Sequence, residues 1–260
     1  MAEDRKNAML NPRNMKAGNG KLTGIHALTD RDRDGLFIAP RLSPDGLQMI
    51  VTRPGFQGIY LIPSNGGPAQ FLADGNAFRA KWTADGKIEV KGEDGTIRTY
   101  GTDGTLESTR PADPSQELAY GENDTIFVRP KPGESSRAMT TNDDRYFNPV
   151  LSPDGSQIIY QGLQTGLYMA PADGSGEAVY LGVGGGPTWL PDSSGVVFAV
   201  TNDDGHHLTE GDIYFVDRNH SERTNLTQDD GLIGQSPTIG PDGRTVVFEA
   251  EGTLYTGTIQ

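Results

Sequence analysis

The residues best suited to chemistry in this 260-residue chain are carboxylates. Asp30-Arg31-Asp32-Arg33-Asp34-Gly35 sets three aspartates at alternate positions ahead of a glycine. Alternate carboxylates can converge on one hard cation, and the glycine permits the sharp bend such a loop needs. Asp30, Asp32 and Asp34 are therefore the candidate metal ligands, and calcium is the candidate ion, in a binding or stabilising role. The twelfth position, where a bidentate Glu belongs, holds Arg41, and Arg31 and Arg33 add positive charge. The competing reading is a repeated turn in which Asp bonds to nearby backbone. Asp143-Asp144 and Asp229-Asp230 follow Met139-Thr140 and Leu226-Thr227 much as Asp30 follows Leu28-Thr29.

His206 and His207 lie with Asp203, Asp204, Glu210 and Asp212 in the longest insertion, Thr201 to Asp212. A transition metal takes such ligands, but adjacent histidines usually diverge, and a solvated lid is the simpler reading. His26 and His220 have no partner that the sequence names. Nucleophilic catalysis finds no support. There is no cysteine and no Gly-x-Ser-x-Gly elbow. Gly184-Gly185-Gly186-Pro187 lacks the Lys-Ser/Thr of a phosphate loop and reads as a tight crossing.

Acids outnumber Lys plus Arg by 35 to 22, a formal charge of −13. Such a surface repels nucleic acid and anionic lipid, so neither is an expected partner. No run approaches the ~20 apolar residues of a spanning helix, so no membrane insertion is expected. Met1-Ala-Glu-Asp-Arg-Lys lacks the apolar centre of a signal peptide. The expected compartment is the cytoplasm, or the periplasm if a leader has been removed.

The elements that must position these groups come from a repeat. A tight-turn phrase recurs at Ser43-Pro44-Asp45-Gly46, Thr83-Ala84-Asp85-Gly86, Ser152-Pro153-Asp154-Gly155 and Gly240-Pro241-Asp242-Gly243, with weaker copies at Pro191-Asp192 and Asp113-Pro114. Pro presets φ, Asp bonds to backbone, and Gly takes positive φ. An apolar–aromatic pair recurs at Ile59-Tyr60, Ile126-Phe127, Leu167-Tyr168, Ile213-Tyr214 and Leu254-Tyr255. A closing phrase recurs at Phe71-Leu72, Met139-Thr140, Leu226-Thr227 and Leu28-Thr29. Between them lie short β-branched and aromatic runs such as Thr245-Val246-Val247-Phe248. Units of about 40 residues with four strands are the dimensions of a propeller blade.

The expectation is an all-β, six-bladed β-propeller of four-stranded antiparallel blades over residues 21–260. Residues 1–20 are read as a polar tail. The last blade lacks a fourth strand at the C-terminal end of the chain, and Gly24 to Thr29 supplies it, closing the ring. Blades 2 and 3 are the most eroded.

These phrases resemble the TolB-like, WD40-like propeller repeat, built on a Trp/Leu-Ser-Pro-Asp-Gly turn and a Gly-x-x-Leu-Tyr strand. Trp82 and Trp189 stand just before the turn, as that family often has it; Leu42, Leu151 and Ile239 fill the place in other blades. The resemblance covers residues 22–260 and implies a stand-alone propeller. The small domain that precedes the propeller in TolB has no counterpart in this chain.

Alternating strand direction places the Ser-Pro-Asp-Gly turns on one face. The other face collects Asp30, Asp32, Asp34, Asp74, Asp143, Asp144, Asp229, Asp230 and the loop of His206 and His207. Loops on a rigid scaffold are the usual seat of function, and an acidic rim draws cations or a basic partner. The expected function is a monomeric, non-catalytic binding module. It holds a protein, peptide or small ligand at the acidic face and channel mouth through Asp74, Asp143, Asp144, His206, His207, Asp229 and Asp230. The alternative is a calcium-assisted hydrolase or lyase at the same mouth.

Overall fold

A computed structural model describes residues 20–141, 143–219, 223–228 and 230–260. The expected tail, save Gly20, therefore lies outside the described residues, as do Asp229 and His220. The described chain forms six antiparallel sheets. Blade 1 is Ile38–Leu42, Gln48–Arg53, Gln57–Pro63 and Gln70–Ala73. Blade 2 is Ala80–Trp82, Ile88–Lys91, Thr96–Tyr100 and Leu106–Pro111. Blade 4 is Tyr146–Leu151, Gln157–Gly162, Gly166–Pro171 and Val179–Gly182. Blade 5 is Gly185–Trp189, Gly195–Asp203, Leu208–Asp217 and Thr224–Asn225. Blade 6 is Gly234–Ile239, Thr245–Ala250 and Thr253–Ile259, with Leu22–Ala27 on its outer edge. The molecule is a six-bladed β-propeller.

Blade 3 departs from the four-stranded plan. Among the described residues its sheet has three strands, Ala119–Glu122, Thr125–Val128 and Arg137–Ala138. The absent strand is the first. Asn123 and Asp124 form the tight loop between the first two of these strands, both at positive φ. Asp124 accepts from the N–H of Tyr146, where blade 4 begins, so this hairpin joins a second strand to a third. Where a first strand would run, Pro114–Gln116 makes a 3-10 turn capped by Asp113. The weakest copy of the turn phrase sits here, with no flanking β-branched run to carry a ladder.

The turn phrase acts as its chemistry predicts. Ser43 Oγ donates to Asp45 Oδ1 (2.6 Å) and accepts from Gln48 N (3.0 Å), while Gly46 N, at φ 73°, closes on Ser43 O. Ser152, Asp154 and Gly155 repeat the pattern. Ahead of the turn, the first strands of blades 1, 4, 5 and 6 share a second device. Ala39, Asn148, Gly186 and Ser236 lie at φ between 48° and 60°, and each precedes a proline. The ladder register shifts at each of these points. Gly takes that conformation freely and Asn tolerates it; Ala39 and Ser236 cost about 1–2 kcal/mol each, which the packed strands on either side must hold.

Leu22–Ala27 pairs with the last strand from Leu22↔Ile259 to Ala27↔Tyr255. Leu28 N then donates to Leu254 O (2.7 Å), and Leu254 N donates to Thr29 Oγ1 (3.0 Å). The same pair of bonds joins Met139 and Thr140 to Ile126, and Leu226 and Thr227 to Ile213. The closing phrase thus pins the fourth strand to the third by one backbone and one hydroxyl bond.

The core is a set of apolar clusters between neighbouring blades. They join blades 1 and 2, 3 and 4, 4 and 5, 5 and 6, and 6 and 1. Among the described residues no such cluster joins blades 2 and 3, where Lys91 Nζ meets Glu117 Oε1 at 2.6 Å.

Candidate binding channel and the acidic loop face

The first strands wall a central cavity of about 1020 Å³. Its lining comes from blades 1, 2, 4, 5 and 6, with none from blade 3. Pro40 and Pro44, Pro149 and Pro153, Pro187 and Pro191, and Pro237 and Pro241 all line it. Proline has no N–H to offer, so the wall is stiff and poor in backbone donors. Pro44, Pro153, Pro191 and Pro241 belong to the turns, so the cavity extends to the turn face.

A belt of hydrogen bonds ties the wall together. Trp82 Nε1 donates to Arg41 O (2.9 Å), and Trp189 Nε1 to Val150 O (3.0 Å). Leu42 N donates to Thr238 Oγ1 (3.3 Å), and Thr188 Oγ1 to Pro237 O (2.9 Å). These bonds link blades 2 to 1, 1 to 6, 6 to 5 and 5 to 4.

The charge of the wall contrasts with that of the chain. None of its described lining residues is acidic, and Arg41 and Lys81 are its charged groups. Lys81 is paired with Glu89 at 3.2 Å, and Glu89 also takes Arg110. Arg41 has no hydrogen bond or ion pair for its guanidinium among the described residues; the Phe78 ring lies 6.0 Å away. Water reaches Arg41, yet the surrounding protein lowers its pKa through desolvation. It stays charged at any physiological pH.

None of the carboxylates or histidines expected from sequence lines this cavity. Asp30 caps the one-turn helix Arg31–Asp34, accepting from Asp32 N and Arg33 N. Asp34 accepts from Asp30 N and from Nε and Nη2 of Arg33, and Arg33 holds its pKa down at about 2. The helix cap thus takes up the Asp30 carboxylate, and Arg33 and Asp30 N take up that of Asp34. Among the described residues no group of three His, Asp or Glu is placed to hold a metal ion.

Asp143 and Asp144 do meet, with Asp124 and Arg145, around a 390 Å³ hollow. Asp143 accepts from Thr141 Oγ1 (2.6 Å) and Tyr146 Oη (3.2 Å); Asp144 accepts from Thr165 Oγ1 (2.6 Å) and Arg145 N (2.7 Å). Those hydroxyl donors hold both carboxylates below their ordinary pKa. Asp74 lies apart, in a 660 Å³ groove with Arg79, Lys91 and Arg98. His206 and His207 sit at the tip of the blade 5 hairpin, where their backbone N–H groups donate to Asp204. Asp230 is the exception in electrostatics. Desolvation raises its pKa, with Asp212 adding repulsion, and its Oδ2 is buried without a hydrogen-bond partner among the described residues.

Sequence reasoning missed Arg41 as a channel residue and noted it only as a failed calcium ligand. A signal was present: four pairs of prolines spaced four apart, each ending in the turn phrase.

Fold and site together define a β-propeller with a proline-walled channel and acidic loops. No family model and no curated protein sequence matches the chain. Solved structures do. An oligogalacturonate lyase from Vibrio parahaemolyticus is similar at TM-score 0.56 and 12% identity, over 94% of this chain and 98% of that one. Regucalcin from Agrobacterium tumefaciens, a calcium-binding protein, is similar at 0.57 and 15%, over 91% and 94%. The WD40 repeats of RRP9 are similar at 0.56 and 9%, over 91% and 97%. At these identities the likeness speaks for the fold, which hosts binding proteins and enzymes alike.

Proposed function

We propose that this protein is a TolB-like propeller acting as a binding module, with the central channel as its ligand site. The observation that carries the reading is the 1020 Å³ cavity walled by bulged, proline-bearing strands. A concave site on rigid elements is what small ligands and peptide ends require. On the opposite face, Asp143, Asp144 and Asp230 supply a negative field that would steer a cationic partner toward the ring. The expected assembly is a monomer.

The test is a thermal-shift panel of small organic ligands and short peptides on the intact protein and on Ala84→Trp. Ala84 is exposed at the channel wall, so the indole would obstruct the mouth without disturbing the core. Ligands that raise the Tm of the wild type and not of the variant support the channel. Turnover of lactones, esters or uronides that is lost on chelation and restored by calcium would replace this reading with the hydrolase or lyase.

A further inference from the structure

We infer that the channel selects an organic anion, a carboxylate carried on an apolar or aromatic body, and that Arg41 is its anchor. The inference rests on the channel being the ligand site and adds the chemistry it recognises. Other arginines, such as Arg53, also lack a carboxylate partner among the described residues; what sets Arg41 apart is that it lines the central cavity. The described residues around the cavity include no Asp or Glu, and among the described residues the Arg41 guanidinium has neither ion pair nor hydrogen bond. A guanidinium offers five donors in a fixed fork that matches a carboxylate.

The rest of the wall selects the remainder of the ligand. Prolines withhold N–H groups, and the carbonyls of Arg41, Val150 and Pro237 are already bonded to Trp82, Trp189 and Thr188. Phe78 and Trp82 present aromatic surface instead, with the nearly buried Trp189 behind them in the wall. A neutral polar ligand would lose its water and find few partners here. A single carboxylate on a flat or aliphatic body would meet Arg41 with one end and rings and prolines with the other. That carboxylate can belong to a free small acid or to the C-terminal residue of a peptide.

Both tryptophans of the chain line the channel, so intrinsic fluorescence reports on it directly. The probes are 3-phenylpropionate and its amide, and a glycyl-glycyl-phenylalanine tripeptide as free acid and as amide. At least one acid should bind roughly tenfold or more tighter than its amide, the size of a charge-assisted hydrogen bond. Which acid does so tells the two sources apart. Arg41→Gln should abolish the preference, Arg41→Lys should retain part of it, and Glu177→Gln, a remote surface change, should leave it intact. Equal binding of acids and amides to the wild type, or a preference that survives Arg41→Gln, overturns the anion anchor while leaving the channel as a site. No fluorescence or calorimetric response to any probe in this panel counts against both.

Discussion

Glu249 lies on the second strand of blade 6 and is only 5% exposed. Its Oε1 accepts from Gly252 N at 3.1 Å, but burial dominates and raises its pKa. A carboxyl whose folded pKa stands above its unfolded one binds protons more readily when folded. Its cost to stability is absent below the unfolded pKa and grows as pH rises through the folded one. Glu249→Gln keeps an acceptor for Gly252 and removes the charge. Urea unfolding should find the variant more stable than wild type at pH 8, with the gap closing as pH falls from the raised folded pKa toward the ordinary carboxylate value. A gap independent of pH would show that charge burial is not its source. Arg41 is the opposite case: it is wetted, it stays charged, and its lack of a partner bears on ligands more than on stability.

At the level of elements, the repeated closing phrase has a definite energetic role. Thr29, Thr140 and Thr227 each aim Oγ1 at the N–H of a third-strand residue, and Thr29 and Thr227 are nearly fully buried. A short fourth strand such as Thr224–Asn225 has little ladder of its own, so the hydroxyl supplies part of what the ladder lacks. Thr29→Val is nearly isosteric and leaves the Leu254 N–H unpaired in the core. It should cost about 1–3 kcal/mol, the penalty of one buried unsatisfied donor, read as a lower urea midpoint at unchanged m-value. Because Thr29 seals the blade built from both ends of the chain, a drop in m as well would mean that blade 6 opens separately. The three phrases were legible in the sequence because each is local chemistry: a turn, a strand, a pinning hydroxyl. The loss of a first strand in blade 3 was legible only as erosion, because Asp113-Pro114-Ser115 still scans as a weak turn.

The ring as a whole is unevenly sealed. Among the described residues five of its six junctions hold an apolar cluster, and the joint between N- and C-terminal segments in blade 6 is among the well-packed ones. Leu106–Pro111, the outer strand of blade 2, is exposed throughout. In blade 3, Tyr120 and Glu122 pair with Phe127 and Thr125 across a two-residue turn. The alternation of an antiparallel ladder then points the N–H and C=O of Ala119 and Gly121 away from their partner strand. Few buried contacts and unpaired edges mark a region of low local stability. Native-state hydrogen exchange should therefore show Leu106–Pro111 and Ala119–Glu122 opening first, well ahead of Thr245–Ala250 and Thr253–Ile259. Equal protection across these four strands would contradict the unsealed junction.

The number of blades, the place of the turns and the use of an early strand to complete the last sheet were all readable from residue order. Each depends on interactions within about 40 residues or on a phrase that is visibly missing at one end and present at the other. The alternation at Asp30 fits a metal loop and a helix cap equally well, and only the backbone path shows that Asp30 caps a one-turn helix. The sign of charge inside the channel was hidden. Arg41 acquires its meaning from what the first strands of four other blades do not place beside it, and those strands lie as far away in sequence as Pro237 to Pro241. A partnerless charge is a property of the assembled ring, because it depends on the positions of every carboxylate at once.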